Sequence, residues 1–237
     1  MLNVDVQRYS PGKNAAPYRQ IFQVPLETGI SVLGLLDYIR KNLDETFAYK
    51  IYCTNQHCGE CGLMLNGKPV LACRDMITTE NVVLDPLKGF KVIKDLVVDV
   101  DSVIRKQWSE FPVLEGKMVY NDFLTEDQHS LFFMAGACIG CAICQSVCCL
   151  HKEDDVLLKG PAYYAALAQY MLRAKTKEDF LAYLNTAVEH GILQCISCKQ
   201  CSKNCPKDVE PYKVITAIAK LIHNNLGINV SKKLLAE

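Results

Sequence analysis

Thirteen cysteines are the side chains of this sequence best suited to chemistry, and they fall into three groups along its 237 residues. No secretory signal pattern follows Met1, so we expect thiols that hold metal or carry redox chemistry rather than disulfides. No cysteine lies between the first group, which ends at residue 73, and the second, which begins at residue 138. The groups are Cys53, Cys58, Cys61 and Cys73; Cys138, Cys141, Cys144, Cys148 and Cys149; and Cys195, Cys198, Cys201 and Cys205.

The first group has the spacing C-x4-C-x2-C with a distant fourth cysteine, which is typical of a [2Fe–2S] site of the plant-ferredoxin type. A zinc ribbon is disfavoured, because zinc usually takes two separated C-x2-4-C knuckles. We expect Gly59 and Gly62 to let the backbone approach the sulfurs, and His57 to lie outside the ligand set. The predicted ligands are Cys53, Cys58, Cys61 and Cys73.

The second and third groups each contain the run C-x2-C-x2-C-x3-C of bacterial ferredoxins. In two-cluster ferredoxins the fourth cysteine of each run ligates the other cluster. Two [4Fe–4S] clusters are therefore predicted, one on Cys138, Cys141, Cys144 and Cys205 and the other on Cys148, Cys195, Cys198 and Cys201. Cys149 is left over, and we expect a buried apolar thiol packed beside a cluster in preference to a redox or ligand role.

Residues 1–102 are predicted to form a mostly β domain that positions the first group. Val4 and Val6 alternate with polar residues, the run Ile21 to Val24 adds a second strand, and Asn66-Gly67 predicts a tight hairpin. Apolar residues recur at helical spacing after Ser31. A small sheet wrapped on one helix is the β-grasp, [2Fe–2S] ferredoxin-like architecture.

Residues 103–237 are predicted to form an all-α domain that carries the two bacterial ferredoxin-type motifs in its turns. Pro161 and Pro211 are placed to open helices, and Thr176 with Asp179 predicts a capping box. The expected fold class is therefore α+β.

Composition and motifs exclude several functions. Lys and Arg number 26 and Asp and Glu also number 26, so nothing favours binding to nucleic acid. The uncharged stretch from Leu131 to Leu150 has the length of a membrane span, but its five cysteines favour a buried ligand-bearing segment, and no transmembrane span is predicted. No dinucleotide-binding glycine motif, P-loop or nucleophile elbow occurs. With every cluster fully ligated by cysteine, we expect an electron relay whose active site lies on a partner.

Several stretches resemble the iron–sulfur subunit of succinate dehydrogenase and fumarate reductase over nearly the whole chain. They are Cys58-Gly59-Glu60-Cys61, the run from Asn66 to Cys73, the run from Val92 to Asp99, Gly160-Pro161-Ala162 and Cys205-Pro206-Lys207. The resemblance implies a partner flavoprotein that holds FAD covalently and interconverts succinate and fumarate. It also implies that electrons pass between FAD, the three clusters and a quinone at a membrane-anchor subunit. The chain would then be cytoplasmic, at the inner face of the membrane through its partners.

Three departures from the family pattern refine these expectations. Cys198 stands where the family usually has an apolar residue, so a second [4Fe–4S] cluster is predicted; a [3Fe–4S] cluster would form if Cys198 were not a ligand. The family's quinone-site segments are replaced at residues 149–152 and at Ile196, which leaves a quinone or a thiol/disulfide-handling subunit as terminal partner. Gln56 stands where the first loop usually has glycine, so the loop is expected to be either strained or differently shaped there.

Other functions stay open from the sequence alone. The same relay would serve another flavoenzyme, such as a thiol-linked fumarate reductase of the CoM/CoB or heterodisulfide type, and a structural metal scaffold or redox sensor is a further alternative. The net positive charge from Cys195 onward fits either a solvated helix face or a docking face.

Overall fold

The computed structural model describes residues 1–13, 15–109, 111, 122–151 and 157–235. The chain divides into two compact units. The N-terminal unit comprises Met1–Asp101 with Ile139–Ser146, and the C-terminal unit comprises Ser102–Cys138 with Val147–Glu237. The boundary between two independently folding domains, placed after residue 102 from the sequence, remains a prediction.

The N-terminal unit is built on a five-stranded sheet. Its strands are β1 (Leu2–Arg8), β2 (Tyr18–Val24), β3 (Gly62–Leu65), β4 (Lys68–Leu71) and β5 (Asn81–Asp85), in the order β2-β1-β5-β3-β4. β1 pairs antiparallel with β2 and parallel with β5, whereas β3 runs antiparallel to both β4 and β5. A separate two-stranded sheet is formed by β6 (Val92–Lys94) and β7 (Val97–Val98).

The amphipathic helix α1 (Val32–Asn42) packs into the core of this unit. Its Ser31 cap accepts a hydrogen bond from the backbone N–H of Gly34, and its face with Leu35, Leu36 and Ile39 is fully buried. In β1 the residues that alternate with polar ones are buried, as period-2 patterning requires. The predicted ferredoxin-like sheet with one helix is confirmed.

A buried ion pair ties three parts of the N-terminal unit together. Arg8 Nε donates to Asp95 Oδ1 at 3.0 Å, and both side chains are at most 5% exposed. Asp95 also accepts from the backbone N–H groups of Tyr9 at 3.0 Å and Ala48 at 2.9 Å. The guanidinium of Arg8 further contacts Asp44 at 2.6 Å. These bonds satisfy the buried charges and fix the loops after β1, α1 and β6 to one another.

The hairpin between β3 and β4 turns at Asn66 and Gly67, which both adopt left-handed backbone conformations with φ of 47° and 78°. Such a pair of positive φ angles is the type I′ geometry that the Asn-Gly sequence favours. Because the two strands of the predicted hairpin are antiparallel, the residues that follow β4 lie near the start of β3.

The described residues form eight further α-helices. They are α2 (Ile104–Ser109), α3 (Glu126–Ala135), α4 (Ile143–Ser146), α5 (Pro161–Met171), α6 (Lys177–Glu189), α7 (Gln200–Lys203), α8 (Pro211–Leu226) and α9 (Lys232–Leu235). All belong to the C-terminal unit except α4, which lies in the N-terminal one. The core of the C-terminal unit includes the fully buried Phe132, Tyr164, Phe180 and Ile218.

The helix ends follow the predicted signals. Proline occupies the first turn of α5 and of α8, and Thr176 and Asp179 form the predicted capping box of α6. A second capping box, between Thr125 and Gln128, opens α3.

The stretch from Leu131 to Leu150 is only partly buried, which corrects the expectation of a buried segment. Phe133 and Met134 project from α3 with more than half of their surface exposed. None of the helices in the described part of the chain is long and apolar enough to cross a membrane.

Candidate iron–sulfur centres

The loop from Cys53 to Cys61 wraps its backbone around the first cysteine sulfur. Cys53 Sγ accepts from the backbone N–H groups of Asn55, His57 and Cys58 at 3.4, 3.2 and 3.3 Å. Left-handed conformations at Thr54 and Gln56, with φ of 58° and 59°, accompany these inward-facing donors. The strain expected at Gln56 is therefore present, and Thr54 adds a second strained position that the sequence did not reveal.

The fourth cysteine of this group reaches the loop from the end of the hairpin. Cys73 Sγ lies 3.4 Å from Cys61 Sγ and accepts from the backbone N–H of Gln56 at 3.4 Å. Cys58 Sγ in turn accepts from the N–H of Glu60 at 3.5 Å. The hairpin thus brings the distant fourth thiol of the C-x4-C-x2-C…C pattern back to the other three, and four soft sulfur donors are the set that an iron–sulfur cluster takes.

The thiols of this loop differ in electrostatic environment. Hydrogen bonds from the backbone N–H groups of Asn55 and His57 lower the pKa of Cys53 to about 7. Burial raises the pKa of Cys61 to about 12. A buried thiolate is costly unless a cation compensates it, and a coordinating metal deprotonates its thiol outright.

Gly59 and Gly62 face the backbone of the second cysteine group, a contact that the sequence did not predict. A Cβ at Gly59, where φ is +73°, would lie 2.6 Å from the carbonyl oxygen of Ile139 and 2.9 Å from the Cα of Cys141. A Cβ at Gly62 would lie 3.2 Å from the carbonyl oxygen of Cys141. The first cysteine loop and the segment Ile139–Ser146 are therefore packed backbone against backbone within the N-terminal unit.

The two ferredoxin-type runs have the same local backbone. Gly140 and Ala142 flank Cys141 with φ of 64° and 62°, and Ser197 and Lys199 flank the equivalent Cys198, both with φ of 59°. Each run then enters a four-residue helix, α4 or α7, that contains its third cysteine. Two segments with different side chains thus share one loop-and-turn conformation, which supports interpreting them as copies of one motif.

Four predicted ligands lie near one another in the C-terminal unit. Cys148 interacts electrostatically with Cys195 and Cys198, and Cys201 interacts with all three. Burial raises the pKa of Cys148 and Cys195, and raises that of Cys201 to about 12. As at Cys61, burial disfavours the thiolate forms of these cysteines, and a coordinating metal would compensate that cost.

The thirteenth cysteine is exposed, so the expectation that Cys149 is a buried apolar thiol is wrong. It lies on the turn that follows Cys148, and its sulfur is 3.3 Å from that of Cys198. The sequence showed only that Cys149 adjoins a predicted ligand; which side of the turn it occupies depends on the tertiary structure.

The remaining predicted ligands are divided between the units: Cys141 and Cys144 lie in the N-terminal unit, and Cys138 and Cys205 in the C-terminal one. None of the thirteen cysteines, all of which are described, forms a disulfide. Among the described residues no three His, Cys, Asp or Glu side chains surround a site for a single metal ion. In an iron–sulfur cluster the thiolates bind several different irons, so the lack of a single-ion site among the described residues does not bear on clusters.

Comparisons with known proteins define the class of protein. Residues 3–105 match a family model described as a 2Fe-2S iron-sulfur cluster binding domain, and residues 134–209 match one described as a 4Fe-4S dicluster domain. A chain of the Mycobacterium smegmatis Sdh1 complex in the apo form has the same fold, with a TM-score of 0.76 over 95% of this chain and 97% of that chain, at 20% identity.

Curated relatives then identify the family. The fumarate reductase iron-sulfur subunit of Haemophilus influenzae is 30% identical over 234 residues, covering 91% of this chain and 90% of the relative. That of Mycobacterium tuberculosis is 32% identical over 220 residues, covering 88% and 87%. A subunit of the fumarate reductase (CoM/CoB) of Methanothermobacter marburgensis is 27% identical over 88% of this chain and 42% of its own length. The chain belongs to the family of iron–sulfur subunits of succinate dehydrogenases and fumarate reductases.

Proposed function

We propose that this chain is the electron-transfer subunit of a succinate dehydrogenase or fumarate reductase complex. It would relay single electrons between an FAD-containing flavoprotein subunit and a quinone or other partner, and it would carry no substrate site itself. The contact of Gly59 with Ile139 and Cys141 is the observation that best supports this role, because it packs the first cysteine loop directly against a segment of the second group.

We propose three cysteine sets as ligands of one [2Fe–2S] and two [4Fe–4S] clusters, which supply one-electron oxidation and reduction when bound. The thiol chemistry of each set suits iron–sulfur clusters. The sets are Cys53, Cys58, Cys61 and Cys73; Cys138, Cys141, Cys144 and Cys205; and Cys148, Cys195, Cys198 and Cys201.

The chain's own groups would hold and tune these sites. Backbone N–H groups directed at Cys53, Cys58 and Cys73 stabilise negative charge on the sulfurs, and hydrogen bonds to cluster sulfurs are one of the factors that set a cluster's reduction potential. The packing of the loop against the segment Ile139–Ser146 holds these two cysteine-bearing segments next to each other within the N-terminal unit.

The terminal partner has two candidates. Most of the named relatives are fumarate reductase iron-sulfur subunits, which favours the flavoprotein-to-quinone relay. The relative from the fumarate reductase named CoM/CoB favours a thiol/disulfide-handling partner, and similarity to it extends over 88% of this chain. In either case we propose a cytoplasmic protein, and for the first a peripheral position at the inner face of the membrane through partner subunits.

The test is anaerobic purification of the full chain with whatever it binds in its native host. We expect about ten irons per chain with matching acid-labile sulfide, together with a flavoprotein that oxidises succinate or reduces fumarate. The Cys61→Ala variant should keep the flavoprotein and lose electron delivery to the terminal partner. A colourless preparation that contains zinc would support a structural scaffold and refute the relay. An iron-loaded chain whose flavoprotein does not act on succinate or fumarate would refute the assignment to this reaction.

A further inference from the structure

The proposed second [4Fe–4S] site has five thiols available for four ligand positions. Cys149 Sγ lies 3.3 Å from Cys198 Sγ, whereas a disulfide would bring two sulfurs to about 2.05 Å. The two side chains are therefore separate thiols in contact. The Cys149 thiol is also near enough to interact electrostatically with Cys148 and Cys195, so it belongs to the same group of sulfurs.

The position of Cys149 leaves its side chain accessible. It is exposed, whereas the sulfur-bearing residues around it are partly or fully buried. The turn that carries it is held by a hydrogen bond of 3.2 Å from the backbone N–H of His151 to the carbonyl oxygen of Cys148. Cys149 is thus attached to the site through a neighbouring ligand, and little buried surface is lost if its side chain turns towards the site.

From this arrangement we infer that Cys149 is a reserve ligand, which takes the iron held by Cys198 whenever the Cys198 thiolate is unavailable. The inference rests on the proposed function, because it presupposes a cluster at this site. The exchange breaks the bond between iron and the Cys198 sulfur, which takes up a proton, and forms a bond between iron and the Cys149 sulfur, whose thiol releases its proton. No oxidation or reduction is required.

The reserve role accounts for the contact between two cysteines that the four-ligand scheme leaves unexplained. A cluster that loses its fourth ligand tends to lose the corresponding iron, so a second sulfur 3.3 Å from the first would retain a four-iron cluster. Cys201 provides the matched comparison, because it is buried and Cys149 is not among the groups that act most strongly on it.

The test compares four variants of the full chain, purified anaerobically, by iron content and by EPR of the oxidised protein. We expect Cys149→Ala and Cys198→Ala each to keep about ten irons with no [3Fe–4S] signal. The double variant should lose about one iron and show that signal, and Cys201→Ala should lose cluster iron although Cys149 is present. A [3Fe–4S] signal from Cys198→Ala with Cys149 intact would overturn the inference, and so would one from Cys149→Ala alone.

A second measurement covers the case in which the double variant does not fold. Iodoacetamide should alkylate Cys149 in the native wild-type protein, where it is exposed, and should label it at least tenfold less in Cys198→Ala, where iron protects it. Equal labelling in both would refute the reserve role. Far fewer than ten irons in the wild type, or a [3Fe–4S] signal there, would instead refute the proposed cluster content, so the two failures are distinguishable.

Discussion

The contact between the two cysteine-bearing segments of the N-terminal unit can be tested with Gly59→Ala. The added methyl group would lie 2.6 Å from the carbonyl oxygen of Ile139 and 2.9 Å from the Cα of Cys141, closer than real Cβ atoms approach. Both neighbours belong to the chain segment that carries a proposed ligand, so the strain cannot be relieved by rotating a flexible side chain.

Two costs add at Gly59. Placing an L-residue in the left-handed region costs about 1–2 kcal/mol, and forcing a methyl group into a packed contact costs a further 1–3 kcal/mol, roughly. We therefore expect Gly59→Ala to lower the free energy of unfolding by about 2–5 kcal/mol.

Gly67→Ala is the matched control, because Gly67 has a φ of +78° and no atom within 4 Å of its would-be Cβ. It should cost only the conformational part, about 1–2 kcal/mol. The assay is anaerobic guanidinium unfolding of both variants, followed by circular dichroism, with iron content measured on the same samples. We expect the denaturant midpoint of Gly59→Ala to be lower than that of Gly67→Ala, and we expect only Gly59→Ala to lose iron. Equal midpoints and equal iron contents in the two variants would show that the backbone contact does not exist as described.

Three further predictions concern the N-terminal unit, and each is tested by the denaturant midpoint of a variant. Arg8→Met should cost about 3–5 kcal/mol because it leaves the buried carboxylate of Asp95 unpaired. Arg19→Met removes the two ion pairs of an exposed arginine, with Asp5 and Asp85, and should cost at most about 1 kcal/mol for each pair. Similar losses in the two variants would refute the difference in burial between the two arginines. Gln56→Gly should stabilise the chain by about 1 kcal/mol by relieving the left-handed strain, while Gln56→Ala should not; no difference would refute the strain. The hydrogen bond from the Tyr49 hydroxyl lowers the pKa of Asp37, so its contribution is complete above the unfolded value of about 3.9 and is lost as the pH falls through the native value. Tyr49→Phe should therefore destabilise at pH 6 and by less at pH 3, and a gap that widens at low pH would contradict this.

Local signals in the sequence predicted most of the secondary structure. Ser31, Thr176 and Pro211 mark helix starts through contacts within one turn, and Asn66-Gly67 specifies its hairpin by backbone preference alone. Helix α3 was not predicted, because the cysteines of the uncharged stretch after Leu131 favoured a ligand-bearing segment, although the capping pair Thr125 and Gln128 was available as a signal. Local chemistry therefore predicted the elements whose determining contact spans three or four residues and was recognised in the sequence.

Contacts between distant segments could not be predicted in this way. The glycine at position 59 was expected to make room for sulfur, whereas its nearest neighbours come from residues 139 and 141. Cys149 was expected to be buried, but its exposure depends on how the turn after Cys148 packs within the unit. Spacing identifies which cysteines belong to a motif, but it carries no information on what packs against them.

Non-glycine residues with a left-handed backbone conformation occur beside proposed ligands in all three cysteine groups. Thr54, Gln56, Ala142, Ser197 and Lys199 all have φ near +60° without being glycine, and all lie within one or two residues of a proposed ligand. Each costs about 1–2 kcal/mol, and such strain persists only where the surrounding structure over-determines it. In the first loop the N–H groups of Asn55 and Gln56 point at sulfurs, and the N–H of Ser197 bonds the sulfur of Cys195. In the first and third cysteine loops the strained backbone therefore directs donors at the thiols, and a bound cluster would offset the cost of that strain.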